Sequence, residues 1–158
     1  MVQYAIFPGI IDVKQFNGHH KVNDFPFLSL GSALMGLRVG TALLFMAHAA
    51  VRIINGTIPQ FAKFMGSVGF PQPELAVWAI TVAELVAGSL LIANRFVRPS
   101  AAILFAIAGT GILLIHRHIG WFVGEHGTGG SEYSVALMMA LLVTAAAARE
   151  GAMSKAPQ

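Results

Sequence analysis

Hydrophobic positions in this chain fall in long runs, not in the polar-every-three-or-four pattern of a water-facing helix. Four runs stand out, at residues 31–54, 74–93, 99–117 and 132–149. A bilayer-spanning helix needs roughly 20 predominantly apolar residues, at about 1.5 Å of rise each. The first three runs meet that length, and the fourth is shorter and rests on weakly apolar alanines. A soluble bundle would show a polar face along each helix. Here 99–115 holds no ionisable side chain, and 133–148 holds none except Tyr133. The pattern therefore predicts an all-α integral membrane four-helix bundle.

Breakers divide the runs. Pro99 suits the first turn of the third span, where its missing N–H costs nothing. Gly56, Gly69 and the triplet Pro71-Gln72-Pro73 punctuate the first loop. Between them Ile58, Phe61, Phe64, Met65 and Val68 recur at helical spacing. This predicts either a short interfacial helix or a loop packed on the mouth of the bundle. The chain divides into an N-terminal cytoplasmic or interfacial segment (1–30), a transmembrane domain (31–149) and a C-terminal tail (150–158). Residues 1–30 contain Asp12, Lys14, His19, His20, Lys21 and Asp24, and they do not read as a signal peptide.

Composition sharpens this picture. Charged residues make up 11% of the 158, against about 25% in a soluble domain, so there is little polar surface to face water. The net charge is +3, but the basic residues form no run or stripe, and nucleic acid is not an expected partner. The absence of cysteine excludes a disulfide scaffold, thiolate-held metal or iron–sulfur sites, and a thiol nucleophile on this chain. Lys14, Lys21, Arg95, Arg98, Arg149 and Lys155 fall on one side of the membrane, and Arg52, Lys63 and Arg117 on the other. The positive-inside rule then puts both termini in the cytoplasm of a cell with a bacterial-type inner membrane.

Ionisable groups inside spans are costly and tend to face a bundle interior or a cavity. Five stand out: Arg38 and His48 in the first span, Glu84 in the second, His116 ending the third and Glu132 opening the fourth. Arg38 lies roughly 10 Å below one face and Glu84 roughly 15 Å below the other. Antiparallel spans bring these depths together, so an Arg38–Glu84 ion pair is expected, as structural glue or as a proton-handling pair. His48 and Arg52 share a helix face, and Arg38, Phe45 and Arg52 form a stripe spaced by sevens. His116, Trp121, Phe122, Glu132 and Tyr133 fall at the same outer mouth, giving a polar, aromatic-lined vestibule. Such a vestibule suits a quinone: His and Glu can hydrogen-bond its oxygens or carry protons, and aromatic rings can flank the head group. His116 and His118, with His48 or His126, make only a weak metal set. A haem between His48 and His116 is weaker still, and no metal or haem is expected. Gly36 and Gly40 form a G-x-x-x-G that can permit close helix approach.

Several of these pieces occur in a distinctive order. Arg38 is followed by His48-Ala-Ala-Val-Arg52, then by the loop Phe64-Met-Gly-Ser-Val-Gly-Phe-Pro71 and the block Ala83-Glu84-Leu85-Val-Ala-Gly88. A basic turn follows, Asn94-Arg-Phe-Val-Arg98-Pro, then His116, Gly120-Trp-Phe122, a Gly-rich loop and Glu132-Tyr133. From about residue 32 to 147 this resembles the DoxX family of four-span membrane proteins. Ala49 and Ala87 stand where the family tends to have glycine, and Arg52 where it tends to have lysine. Arg52 keeps the charge but does not readily lose its proton.

The resemblance implies a bundle tied to membrane redox chemistry. Some relatives look like the membrane subunit of thiosulfate:quinone oxidoreductase, and more distant ones like chaperones or cargo receptors. The first expectation is a subunit of a quinone-linked oxidoreductase, passing electrons from a small reductant or a partner protein to the quinone pool. Glu84, His116 and Arg38 are its candidate catalytic residues. His48, Arg52, Trp121, Glu132 and Tyr133 are its candidate substrate-binding residues, with Arg52 placed to attract an anion such as thiosulfate. The alternative is a non-catalytic scaffold or assembly subunit. There the polar residues satisfy one another, and Phe7, Pro8, Phe25, Pro26 and Phe27 belong to a docking arm. Expected partners are the lipid bilayer, a membrane quinone, and a partner protein or a second copy of the chain. A small-molecule carrier ranks last, because four helices leave little room for a pore.

Overall fold

The computed structural model describes residues 27–115, 120–122 and 130–153. Five helices follow in order: α1 (Leu30–Ile54), α2 (Ile58–Ser67), α3 (Pro73–Ile92), α4 (Val97–Leu114) and α5 (Ser131–Met153). No strand occurs among the described residues. Helices α1, α3, α4 and α5 correspond to the four apolar runs, and each is long and apolar enough to cross a membrane. The fourth run, the shortest by composition, becomes a helix of 23 residues because Glu150–Met153 continue it.

Helix α1 packs on α3 and α5, and α4 packs on the same two, so the four spans close into a ring. Only 22–33% of each apolar window is buried inside the protein. Leu43, Leu44, Val82, Val86, Ile103, Leu142 and Val143 point outward. An apolar surface this continuous is untenable in water and ordinary in hydrocarbon, and the protein is a multi-pass membrane protein.

Two buried clusters hold the ring together. The larger joins Ala42, Phe45, Ala87, Leu91, Ala101, Leu104, Leu137 and Leu141 from all four spans. The smaller lies under α2, where Ile58, Ala62 and Met65 pack on Val77 of α3. The first loop therefore forms a helix, and that helix packs on the bundle. At 10 residues α2 is too short to be stable alone, so this packing is what maintains it.

The chain turns from α3 to α4 through Asn94, whose φ is 55°. The N–H groups of Asn94 and Arg95 donate back to the Leu91 and Leu90 carbonyls at 3.1 and 2.9 Å. This is a left-handed helix end in which asparagine is tolerated.

Gly88 sets the register between α1 and α3. A Cβ there would lie 2.5 Å from Met46 Cγ and 3.4 Å from the Ala42 carbonyl oxygen. Gly36 and Gly40, by contrast, have nothing within 4 Å, so the G-x-x-x-G makes no close helix contact among the described residues. Gly130 is more constrained still: its Cβ would meet the Trp121 carbonyl oxygen at 2.3 Å and the Phe122 carbonyl carbon at 2.5 Å. The segment it abuts also caps α5, since the N–H groups of Ser131 and Glu132 donate to the Gly120 and Trp121 carbonyls at 3.2 and 3.1 Å.

The two glycines predict an ordered pair of outcomes. Gly88→Ala forces the Met46 side chain to shift and overpacks the contact by about 1–3 kcal/mol, and Gly88→Leu costs more. Gly130→Ala meets backbone that cannot rotate away, so it should lower the melting temperature in detergent more than Gly88→Ala does. Circular dichroism melts of the three variants check the order.

Candidate functional site

Between the two clusters lies a cavity of about 730 Å³. Phe45 and Leu137 wall it on one side, and Phe61, Met65, Ile80 and Leu114 on the other, with Phe70 from the loop after α2. Its polar lining is sparse: His48 and Arg52 from α1, Glu84 from α3, Thr110 from α4, and Tyr133 and Ser134 from α5. A largely apolar cavity with a few convergent polar groups is the usual character of a small-molecule site.

Its centre is an ion pair. Arg52 Nη1 donates to Glu84 Oε2 at 2.9 Å and to Thr81 Oγ1 at 2.7 Å. Thr81 passes its own hydroxyl hydrogen to the Val77 carbonyl at 2.8 Å. Thr81 and Glu84 are buried, and the Arg52 guanidinium also lies 5.3 Å from the centre of the Phe61 ring. One side chain of α1 thus holds α2 and α3 together. The pair is desolvated, so its mutual attraction mainly offsets the cost of burial, while removing either partner alone strands a charge.

Helical geometry explains the grouping. His48 and Arg52 are four apart on α1, and Thr81 and Glu84 three apart on α3, so each pair shares a face. Phe45 continues the α1 face, one turn before His48. Tyr133 enters from the first turn of α5, with its ring centre 6.3 Å from that of His48.

The expected Arg38–Glu84 pair does not form. Arg38 donates instead to Asn94 Oδ1, and Glu84 takes Arg52. The cause is helix offset. The contacts Arg38–Asn94, Met46–Gly88 and Arg52–Thr81 follow one antiparallel register, in which α1 begins well beyond the end of α3. Residues assigned equal depth from span ends assumed to be flush are therefore separated, and Arg38 lies outside the cavity that holds Glu84.

Of the other expected site residues, His48, Arg52, Glu84 and Tyr133 share the cavity. Trp121 and Glu132 are neighbours through the Glu132 N–H to Trp121 carbonyl bond, next to the lining residues Gly130 and Tyr133, but they are not on the cavity wall. His116, like His118 and His126, lies outside the described residues. Thr81 and Phe61 were not anticipated. Thr81 was readable from its spacing to Glu84, but Phe61 depends on how α2 folds back.

No match occurs among curated proteins or among solved structures. The family model DoxX matches residues 33–117, which is more than half of the chain and includes Arg38, His48, Arg52 and Glu84 but ends before Trp121 and Tyr133. The chain therefore belongs to the DoxX family.

Proposed function

We propose that this protein is the membrane subunit of a quinone-linked oxidoreductase, with the quinone head group bound in the cavity beside Glu84 and Arg52. Electrons come from a small reductant or a partner protein. The observation that carries the reading is the convergence of a buried ion pair, His48 and Tyr133 in one otherwise apolar cavity. A quinone accepts two electrons and two protons. The Tyr133 hydroxyl and the His48 ring can donate to its carbonyl oxygens, and Phe45, Phe61 and Phe70 can flank a flat ring. Arg52 has five N–H donors in all. The Nη1 contacts to Glu84 and Thr81 leave others to draw in an anionic reductant such as thiosulfate. With both termini cytoplasmic, as the loop charges favour, the cavity lies toward the outer side of an inner membrane.

A second reading is supported by the way Arg52 joins α1, α2 and α3. In a scaffold or assembly subunit the same pair would be glue, and the cavity would hold no quinone.

Titrating a soluble ubiquinone analogue into nanodisc-embedded protein separates the two. In a Trp78→Phe background, Trp121 reports on the cavity mouth, and saturable quenching is expected. Tyr133→Phe should weaken binding about three- to ten-fold, the worth of one hydrogen bond. An absence of saturable quenching, with the helical spectrum intact, rejects the quinone reading.

Replacing the pair gives an independent test. Arg52→Met or Glu84→Leu alone should cost about 3–5 kcal/mol of stability, and the double replacement far less. The folded double variant should no longer quench on quinone addition if the pair contacts the head group. Unchanged quenching would remove the pair from the site.

A further inference from the structure

A second cavity, of about 600 Å³, lies at the opposite end of the bundle, where α1 begins, α5 ends and the α3–α4 turn passes between them. Its polar wall comprises Arg38, Asn94, Arg98 and Thr144, and Leu34 and Met35 extend it along the apolar flank of α1. Two of these polar groups are buried without a partner among the described residues. Thr144 is only 4% exposed, and its hydroxyl has no hydrogen-bond partner among the described residues. Arg38 Nε is likewise buried and unpartnered. A threonine in a helix commonly returns its hydroxyl to the carbonyl four residues back. Thr81 and Thr110 do so, at 2.8 Å each, and Thr144 does not.

The remaining chemistry is of one sign. Arg98 occupies the first turn of α4 and makes no ion pair with a carboxylate among the described residues. Phe96, the N-cap of α4, supplies no side-chain cap, so the amides of Val97 and Arg98 keep their partial positive charge, Pro99 having no N–H. Two guanidinium groups, an unpaired hydroxyl and a helix N-terminus, with no carboxylate in the lining, suit an oxyanion, and arginine forks match phosphate oxygens. The site sits at the end of a membrane span and runs into an apolar flank, which is the shape of a head group continued by an acyl chain.

We propose that this groove binds the phosphate of an anionic phospholipid, held by Arg38, Arg98 and Thr144, with its chain against Leu34 and Met35. The inference is independent of the quinone reading, because the groove shares no lining residue with the cavity that contains Glu84.

The test is a native mass-spectrometric titration of the full-length protein with phosphatidylglycerol, phosphatidylcholine and inorganic phosphate. Phosphatidylglycerol should bind at least about ten-fold more tightly than phosphatidylcholine, whose choline cation faces the arginines. Arg98→Gln should weaken phosphatidylglycerol about ten-fold and Thr144→Val about three-fold, the scale of one charge-assisted and one neutral hydrogen bond. Arg95→Gln, in the same turn but outside the groove lining, should leave it unchanged. Arg98 is exposed, so its replacement keeps the bundle folded, and quinone quenching of Trp121 should not change. Equal affinity for the two lipids, or unchanged phosphatidylglycerol binding in both groove variants, overturns the proposal. Inorganic phosphate binding as tightly as phosphatidylglycerol overturns the lipid assignment in favour of a soluble anion.

Discussion

A carboxylate halfway along a lipid-embedded helix must be given a partner by the protein, because the bilayer core offers neither water nor counterion. Glu84 lies 11 residues into α3, roughly 16 Å from its start at Pro73. Arg52 supplies the partner from the last turn of α1, and its long side chain reaches down into the bundle from near the helix end. This arrangement constrains much else. Arg52 must sit level with Thr81, α1 must therefore be displaced along α3, and the two helices must be close enough for one guanidinium to touch both Thr81 and Glu84. Gly88 allows that approach: with no Cβ it lets Met46 and the Ala42 carbonyl come against α3.

The same displacement explains why Arg38 is free of Glu84. As α1 extends past the end of α3, Arg38 meets the turn that follows that helix, and there Asn94 accepts its hydrogen bond. Asn94 has two roles in one position. Its left-handed backbone ends α3, and its side chain fixes Arg38. A glycine would serve the first role equally well and lose the second.

Much of this architecture was legible in the sequence. The four spans needed only length and apolarity, and α2 only the spacing of Ile58, Phe61 and Met65. Glu84 and His48 stood out because charge within a span is costly, Arg52 because it shares a helix face with His48, and Tyr133 because it falls at the outer mouth beside Glu132. The Arg38–Glu84 pairing failed for a specific reason. Depth was counted from span ends, and hydropathy says where a helix is apolar but not how far it slides along its neighbour. Sliding is set by contacts such as Met46 on Gly88, which depend on tertiary packing. Phe61 was hidden for a related reason: a ten-residue helix takes its position from what it packs on, and that position brings an aromatic ring against Arg52.

The two ends of the bundle therefore answer the same physical demand differently. At the α2 end Arg52 Nη1 is bound to Thr81 and Glu84, its guanidinium lies against the Phe61 ring, and the cavity beside it is mostly carbon. The other polar groups on its wall are few: His48, Thr110, Tyr133 and Ser134. At the other end the donors outnumber the acceptors among the described residues: Arg38 has one asparagine oxygen, and Thr144 has none. A folded membrane protein does not ordinarily leave a buried hydroxyl and a guanidinium N–H without acceptors, since in a low dielectric each is worth more paired than in water. At the boundary of a span the acceptors outside the protein are water and lipid phosphate, and only the phosphate carries the negative charge that two guanidinium groups favour. The uneven satisfaction of polar groups, more than the size of either cavity, is what distinguishes a site organised around the chain's own carboxylate from one that requires an anion from outside.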